Sequence, residues 1–271
     1  MNGSVGQRSA AFFDLDKTII ARSSTLAFSR PFYAGGLITR RAVLRSAYAH
    51  FLFMAGGADH DQMERMREYL SKMVAGWDVQ QVRDIVAETL EALISPVIYR
   101  EASALIEEHH AAGRDVVIVS ASGAEVVEPI GSMLGADHVV ATRLVVEDGR
   151  YTGDIAYYAY GPHKAEAIRR LAEDQGYALL DSYAYSDSVT DLPMLLEVGH
   201  PTAVNPDKGL RREAAARDWP VLDFHHPVRL RDRMPRVPAP HPPTVAVALG
   251  VGAATAGLVW YASRRRERPA S

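Results

Sequence analysis

Cysteine is absent from the 271-residue chain, which excludes a disulfide scaffold, Cys-ligated zinc, an iron–sulfur cluster and thiol catalysis. Its absence leaves the redox compartment open. No internal repeat occurs, and there is no N-terminal secretory pattern: the first apolar run begins at Ala10 and is broken by Asp14, so the body of the chain is expected in the cytoplasm. Strong net charge is missing too, with 30 Lys plus Arg against 33 Asp plus Glu and a formal balance of −3. That balance conceals an asymmetry. Residues 224–271 hold eight Arg against Asp232 and Glu267, a charge of +6, which leaves −9 on the first 223 residues. An acidic body is a poor match for a phosphate backbone, so no nucleic-acid partner is expected. With 48% hydrophobic and 23% charged residues, the composition is that of a globular protein of one or two domains.

What is present at the C-terminus is a long uncharged run. Thr244 to Ala262 are nineteen residues without a charge, about enough to cross a hydrocarbon core at 1.5 Å per residue. Trp260 and Tyr261 stand where an interfacial belt would be, and Arg264 to Arg266 follow. A single-pass transmembrane helix at 244–262 with a basic tail at 263–271 is therefore expected, although Ala and Gly make its insertion weak. Four Arg on each side leave its orientation open. Gly252 and Ala256, four apart, would let two such helices approach, a homodimer contact that nothing else in the sequence supports. Residues 224–243 contain six Pro and are expected to be an extended linker.

The body alternates between strand and helix patterns, with one interruption. Ala10 to Leu15 is an apolar run that ends in acidic residues, the pattern of a buried strand. From Thr25 to Leu93 apolar positions recur at helical spacing, punctuated by Gly35-Gly36, Gly56-Gly57 and Gly76, which predicts three or four helices in a separate bundle. Strand and helix then alternate again: helix 101–112, strand 115–119, helix 125–134, strand 139–141, a hairpin over 144–155 turning at Asp148-Gly149, helix 163–175, strand 181–185, helix 192–198, strand 202–204, helix 208–216 and strand 220–223. Alternating β and α with apolar strands implies a parallel sheet covered on both faces.

In such sheets ligands bind beyond the carboxyl ends of the strands. The first strand delivers Asp14, Asp16 and Thr18 there, the second Ser120 and Ala121, a helix start Lys164, and a later strand Asp187 and Asp191. Four carboxylates crowded together raise one another's pKa unless a cation is present. Mg²⁺, which takes one or two carboxylates with waters and a phosphate oxygen, fits this inventory, with Asp14, Asp16 and Asp187 as the expected metal set and Asp191 supporting it. Phosphoryl transfer follows. Asp14 would be the nucleophile and Asp16 the general acid and base. Ser120 and the Ala121 N–H, with Thr18, would hold the substrate, and Lys164 would neutralise phosphate and nucleophile charge.

The ordered set DLDKT, VVIVS, K and DSVTD resembles the haloacid dehalogenase superfamily of phosphohydrolases, over Ala10 to about Val204. Its helical insertion and the phrases VVIVSAS and DGRYTGDI are similar to the phosphoserine-phosphatase-like branch, subfamily IB. The resemblance implies a Rossmann-like parallel sheet core at 1–22 and 95–223, with an inserted all-helical cap of the C1 type at 23–94. It also implies Mg²⁺-dependent hydrolysis of a small phosphomonoester through an aspartyl phosphate. Two features depart from that branch. The acidic residue that reads the serine amino group nine positions after the nucleophile is Ser23 here, and the usual GDGxND motif has Ser186, Ser188 and Thr190 around its aspartates. The substrate classes implied are a phosphoserine-like metabolite or, through the anchor, a lipid phosphate. The contrasting expectation is a silent membrane-tethered phosphate-binding scaffold.

Blander roles exist for each residue. Isolated Asp caps strands and turns, Ser120 and Asp191 suit helix N-caps, and a helix Lys is commonly solvated; the motifs in register argue against these readings. The adjacent pairs His109-His110 and His225-His226 point in different directions on a helix and suggest no metal site. Met54, Met63, Met66 and Met73 suit core filling, and Lys17 is expected to face solvent.

Overall fold

The computed structural model describes residues 8–38 and 71–227. The chain divides into two units, Met1–Asp232 and Arg233–Ser271, and the second lies wholly outside the described residues, as do most of the linker, the 244–262 segment, the basic tail, and Met54, Met63 and Met66.

Seven strands form one sheet in the order β4-β3-β2-β1-β5-β6-β7: β1 Ala10–Phe13, β2 Asp115–Gly123, β3 His138–Glu147, β4 Arg150–Tyr157, β5 Tyr183–Ser186, β6 His200–Val204 and β7 Val221–Leu222. All neighbours pair in parallel except β3 with β4. The continuous apolar runs of β1 and β2 follow from burial on both faces, because successive side chains point to opposite sides. Ala11 and Phe13 enter one apolar cluster with Val116, Ile118 and Tyr185. Ala10 and Phe12 enter the other with Val117, Val119 and Ala184. Helices Arg100–Ala111 and Ala124–Leu134 contribute Ile106 and Ile130 to the first cluster, and helices Pro162–Gln175 and Lys208–Ala216 contribute Ile168 and Leu210 to the second.

Strand 139–141 and the first arm of the expected hairpin are one strand, β3. It pairs in parallel with β2 through its first half and antiparallel with β4 through its second. The two-residue turn at Asp148 (φ 48°) and Gly149 (φ 75°) has both central residues in the left-handed region, the form that matches strand twist in a tight hairpin. Strand 181–185 begins at Tyr183, because Leu179–Asp181 closes a 3₁₀ turn first.

The described part of residues 23–94 is helical at Ser24–Ala27, Ser29–Ala34 and Val79–Ile94. Asp78 caps the last of these by accepting the Gln81 N–H at 3.0 Å. Its buried face, Val79, Val82, Val86 and Ile94, joins Phe28 and Phe32 in the same cluster as Phe13 and Ile118 of the sheet.

The expected C-terminal transmembrane helix, and the membrane localisation built on it, are corrected: among the described residues no helix is long and apolar enough to cross a membrane. Of the helices with described bounds the longest, Val79–Ile94, has 16 residues, about 24 Å at the α-helical rise against a hydrocarbon core of about 30 Å. Residues 244–262 lie outside the described residues. The fold class is an α/β parallel-sheet core with helical additions.

Candidate active site

β1 ends at Phe13, and the next residues turn back at once. Lys17 adopts φ 63° and its N–H donates to the Ile20 carbonyl at 2.6 Å. This tight turn separates Asp14 from Asp16 while keeping both at the carboxyl edge of the sheet. Lys17 itself is exposed. The Asp14 N–H donates to the Tyr185 carbonyl at 2.9 Å, so Asp14 is fixed between β1 and β5.

Lys164 reaches this point from the first turn of the Pro162–Gln175 helix, whose start is set by Pro162. Its side chain is 2% exposed, and Nζ donates to Asp14 Oδ1 at 2.7 Å and to Asp191 Oδ2 at 2.8 Å. Thr18 Oγ1 donates to Asp14 Oδ2 at 3.2 Å, so this hydroxyl orients the carboxylate. Asp191 stands at the start of helix Leu192–Leu195 without making a side-chain cap; besides Lys164 it accepts from Ser186 Oγ at 2.7 Å.

The end of β2 is irregular. Ser120 lies opposite Ala141 and Gly123 opposite Thr142, so Ala121 and Ser122 bulge from the ladder, a common device for re-aiming residues beside active sites. Thr142 Oγ1 donates to the Ala121 carbonyl at 2.7 Å and the Ser122 N–H to Ser120 Oγ at 3.2 Å. The bulge carries Ser122 toward Asp16. Ser24 N–H donates to Asp16 Oδ1 at 2.9 Å, Ser24 Oγ to Ser122 Oγ at 2.8 Å, and Ser122 Oγ reaches Asp16 Oδ2 at 3.4 Å. Ser23, at the position of the expected acidic reader, also hydrogen-bonds Asp16.

The electrostatics are those of a site short of positive charge. Burial first, then Asp191 and Asp16, push the Asp14 carboxyl up to about 7 against the pull of Lys164. Burial and then Asp14 raise Asp187 to about 8, with Lys17 opposing. Burial also raises Asp16, opposed by the hydrogen bonds from Ser24 and Ser23. For Lys164 burial acts downward, but Asp14 and Asp191 outweigh it and hold the ammonium above its ordinary value. Four carboxylates against one buried ammonium form a donor set that suits a hard dication.

Among the described residues no three His, Asp or Glu side chains are grouped to share a metal ion. Asp14 and Asp16 both have their two oxygens hydrogen-bonded, Asp14 to Lys164 and Thr18 and Asp16 to Ser24 and Ser122; of the expected metal set, Asp14 and Asp187 are the buried, electrostatically linked pair that matches the one or two carboxylates Mg²⁺ ordinarily takes. The His pairs have structural partners: His109 meets Tyr185 and Arg114, His110 meets Asp137, and His226 meets Glu101. Ser24 and Ser122 were not foreseen as site residues. Ser122 sits inside the VSAS phrase, but only the bulge shows where it points.

A model of the haloacid dehalogenase-like hydrolases matches residues 11–196. The chain belongs to this family. The match encloses Asp14, Asp16, Ser120, Lys164, Asp187 and Asp191. Relatives extend over nearly the whole chain. The "Inhibition of morphological differentiation protein" of Streptomyces azureus is 71% identical over 96% of this chain and 95% of its own. A probable phosphatase of Mycobacterium tuberculosis is 61% identical over 96% and 90%, and a phosphoserine phosphatase of the same species 33% identical over 96% and 82%. Among solved structures, a Bordetella pertussis protein of unknown function superposes with a TM-score of 0.72 at 30% identity, covering 81% of this chain and all of that one. A phosphoserine phosphatase bearing a phospho-aspartyl intermediate analogue superposes at 0.60 with 21% identity, covering 83% and 97%, a likeness of fold alone.

Proposed function

We propose that this haloacid dehalogenase-like hydrolase is a Mg²⁺-dependent phosphatase that cleaves a small phosphomonoester through an aspartyl phosphate on Asp14. The observation that carries the reading is the buried Lys164 ammonium bonded at once to Asp14 and Asp191, at the edge where β1, β2 and β5 end. A nucleophilic carboxylate needs its charge balanced and its rotamer fixed before a phosphate dianion approaches. Lys164 balances the charge, and Thr18 fixes the rotamer.

In this mechanism Asp14 attacks phosphorus, an O–P bond forms to Asp14, and the P–O bond to the substrate alcohol breaks as Asp16 passes its proton to the departing oxygen. Asp16 then takes a proton from water, which attacks the aspartyl phosphate and releases inorganic phosphate. Ser120 Oγ and the Ala121 N–H support the phosphate oxygens from the β2 bulge, and the Ser24 N–H keeps Asp16 from turning toward Asp14. Asp14 and Asp187 would hold Mg²⁺, which when bound supplies positive charge to the phosphate and to the crowded carboxylates.

The substrate class favoured is a phosphoserine-like metabolite. This draws on the phosphoserine phosphatase among the relatives; the lipid-phosphate reading drew on the membrane anchor and on Ser23 in place of the acidic reader, and it loses the first of these grounds. The silent-scaffold alternative has no support in a site that keeps nucleophile, acid and lysine together. The test is phosphate release by the full chain, with Mg²⁺ or with EDTA, from phosphoserine, sugar phosphates and nucleotides, beside Asp14→Asn. Expected is metal-dependent release from a small phosphomonoester that falls at least ~10³-fold in the variant. Equal rates in wild type and Asp14→Asn would overturn the proposal.

A further inference from the structure

We infer that Asp207 is a positioning residue for the loop that carries Asp187 and Asp191, and that it sets the affinity of the site for its divalent cation. The inference rests on the metal-dependent reading given above. Asp207 is outside the family match at 11–196, and no pattern around Asp14 points to it.

The loop after β5 needs outside support because its sequence, Ser186-Asp187-Ser188-Val189-Thr190-Asp191, has no glycine for a tight turn and only a short 3₁₀ turn at Val189–Asp191. Asp207 supplies that support with three groups. Its N–H donates to the Asp187 carbonyl at 2.7 Å. Its Oδ2 accepts the Val189 N–H at 3.0 Å and Ser188 Oγ at 3.1 Å. Its Oδ1 caps helix Lys208–Ala216 by accepting the Leu210 N–H at 2.7 Å, which ties the loop to a rigid element. Ser188 passes the restraint inward: its Oγ accepts from Thr190 Oγ1 at 3.1 Å, and its N–H donates to Ser186 Oγ at 3.2 Å. Ser186 in turn holds Asp191.

Gly209 gives a second, independent line. A Cβ at this position would lie 2.8 Å from Val189 Cγ1 and 2.9 Å from Val189 Cβ, so the helix start and the loop are in contact that only glycine permits. The serines that replace the glycines of the usual motif therefore form a hydroxyl chain anchored on Asp207. Asp207 holds Asp187 through its backbone carbonyl and the loop beyond it; outer partners that position a metal-binding residue typically change metal affinity 10–100-fold when removed.

The test is a Mg²⁺ titration of the full chain by calorimetry and by the shift of melting temperature, so that the readout does not depend on turnover. Asp207→Ala is expected to weaken Mg²⁺ binding at least tenfold. Asp207→Asn keeps one oxygen for the Leu210 cap but turns an NH₂ toward the Val189 N–H, so it separates loop support from helix capping and is expected to weaken Mg²⁺ binding as well, by at least about threefold. Gly209→Ala, which drives Val189 away, should weaken binding as well, and it carries the test if Asp207→Ala does not fold. Asp78→Ala removes an N-cap far from the loop and controls for lost stability; its Mg²⁺ affinity is expected to be that of wild type. Wild-type binding with unchanged affinity in both Asp207→Ala and Gly209→Ala would overturn this inference alone. A wild-type chain that binds no Mg²⁺ would overturn the metal-dependent reading and this inference with it.

Discussion

Replacing Lys164 by Met keeps the length of the side chain and removes the one buried ammonium that Asp14 and Asp191 share. Both hydrogen bonds are short, 2.7 and 2.8 Å, and Nζ is almost wholly screened from water. Removing one partner of a buried pair ordinarily costs about 3–5 kcal/mol, because the other charge is left unbalanced. Asp14 can escape part of that cost by taking up a proton, since its carboxyl already stands near 7 with Lys164 in place and must rise further without it. A carboxyl whose folded pKa lies above its unfolded value of 3.8 favours the fold at low pH and loses that contribution as pH rises through the folded value. The deficit of Lys164→Met relative to wild type should therefore grow as pH rises above about 7 and be smallest near pH 5.5. At roughly 2–4 °C per kcal/mol for a domain of this size, the melting temperature at pH 8.5 in EDTA should fall by about 6–20 °C. Phosphate release with Mg²⁺ should fall about 10²–10³-fold, the usual loss of one charge-stabilising donor. Melting curves of both proteins at pH 5.5, 7.0 and 8.5 test the argument. Equal melting temperatures at pH 8.5, or a deficit that is larger in acid, would refute it.

Other perturbations test other parts of the molecule. His109 is held down to about 4, by burial first and then by Arg114 and His110. Its contribution to stability is complete above the unfolded value of 6.5 and is lost as pH falls from there toward 4, a total of about 2–4 kcal/mol; acid unfolding of His109→Gln should lack this pH dependence in urea titrations between pH 7 and 4.5. A chain ending at Asp223 should be less stable than one ending at Asp232 by at least about 3 kcal/mol. The shorter chain lacks Phe224, which is buried against Tyr99 and paired with Asn205, and His226, which meets Glu101. Ser122→Ala removes the hydroxyl between Ser24 and Asp16. It should lower kcat more than it raises KM in steady-state kinetics, and an unchanged kcat would count against the placement of Asp16.

Much of this architecture was legible in the chain because it rests on local rules. The apolar run ending in Asp14, the Asp148-Gly149 turn and the Pro162 start just before Lys164 each follow from backbone sterics or from the two-residue period of a strand, while the ordered acidic motifs were legible through their resemblance to a known family. The break in expectation at β3 came from a strand long enough to pair in parallel with β2 and antiparallel with β4, something a local window cannot show. The expected membrane anchor drew on the length of an uncharged run at residues 244–262, which lie outside the described residues; among the described residues no helix is long and apolar enough to cross a membrane.

Residue type and spacing by themselves pointed to the parallel sheet and to the edge where Asp14, Lys164 and Asp191 meet. Only the tertiary structure decided how those groups divide their work. It turned Thr18 to Asp14, brought Ser24 and Ser122 around Asp16, and set Asp207 behind Asp187. Lys164 and Asp14 are 150 residues apart in the chain, and Asp16 and Ser122 are 106 apart. Contacts at such separation depend on how whole strands and helices pack. A hydroxyl or carboxylate that can serve as cap, turn former or site residue takes its role from the neighbour that packing delivers.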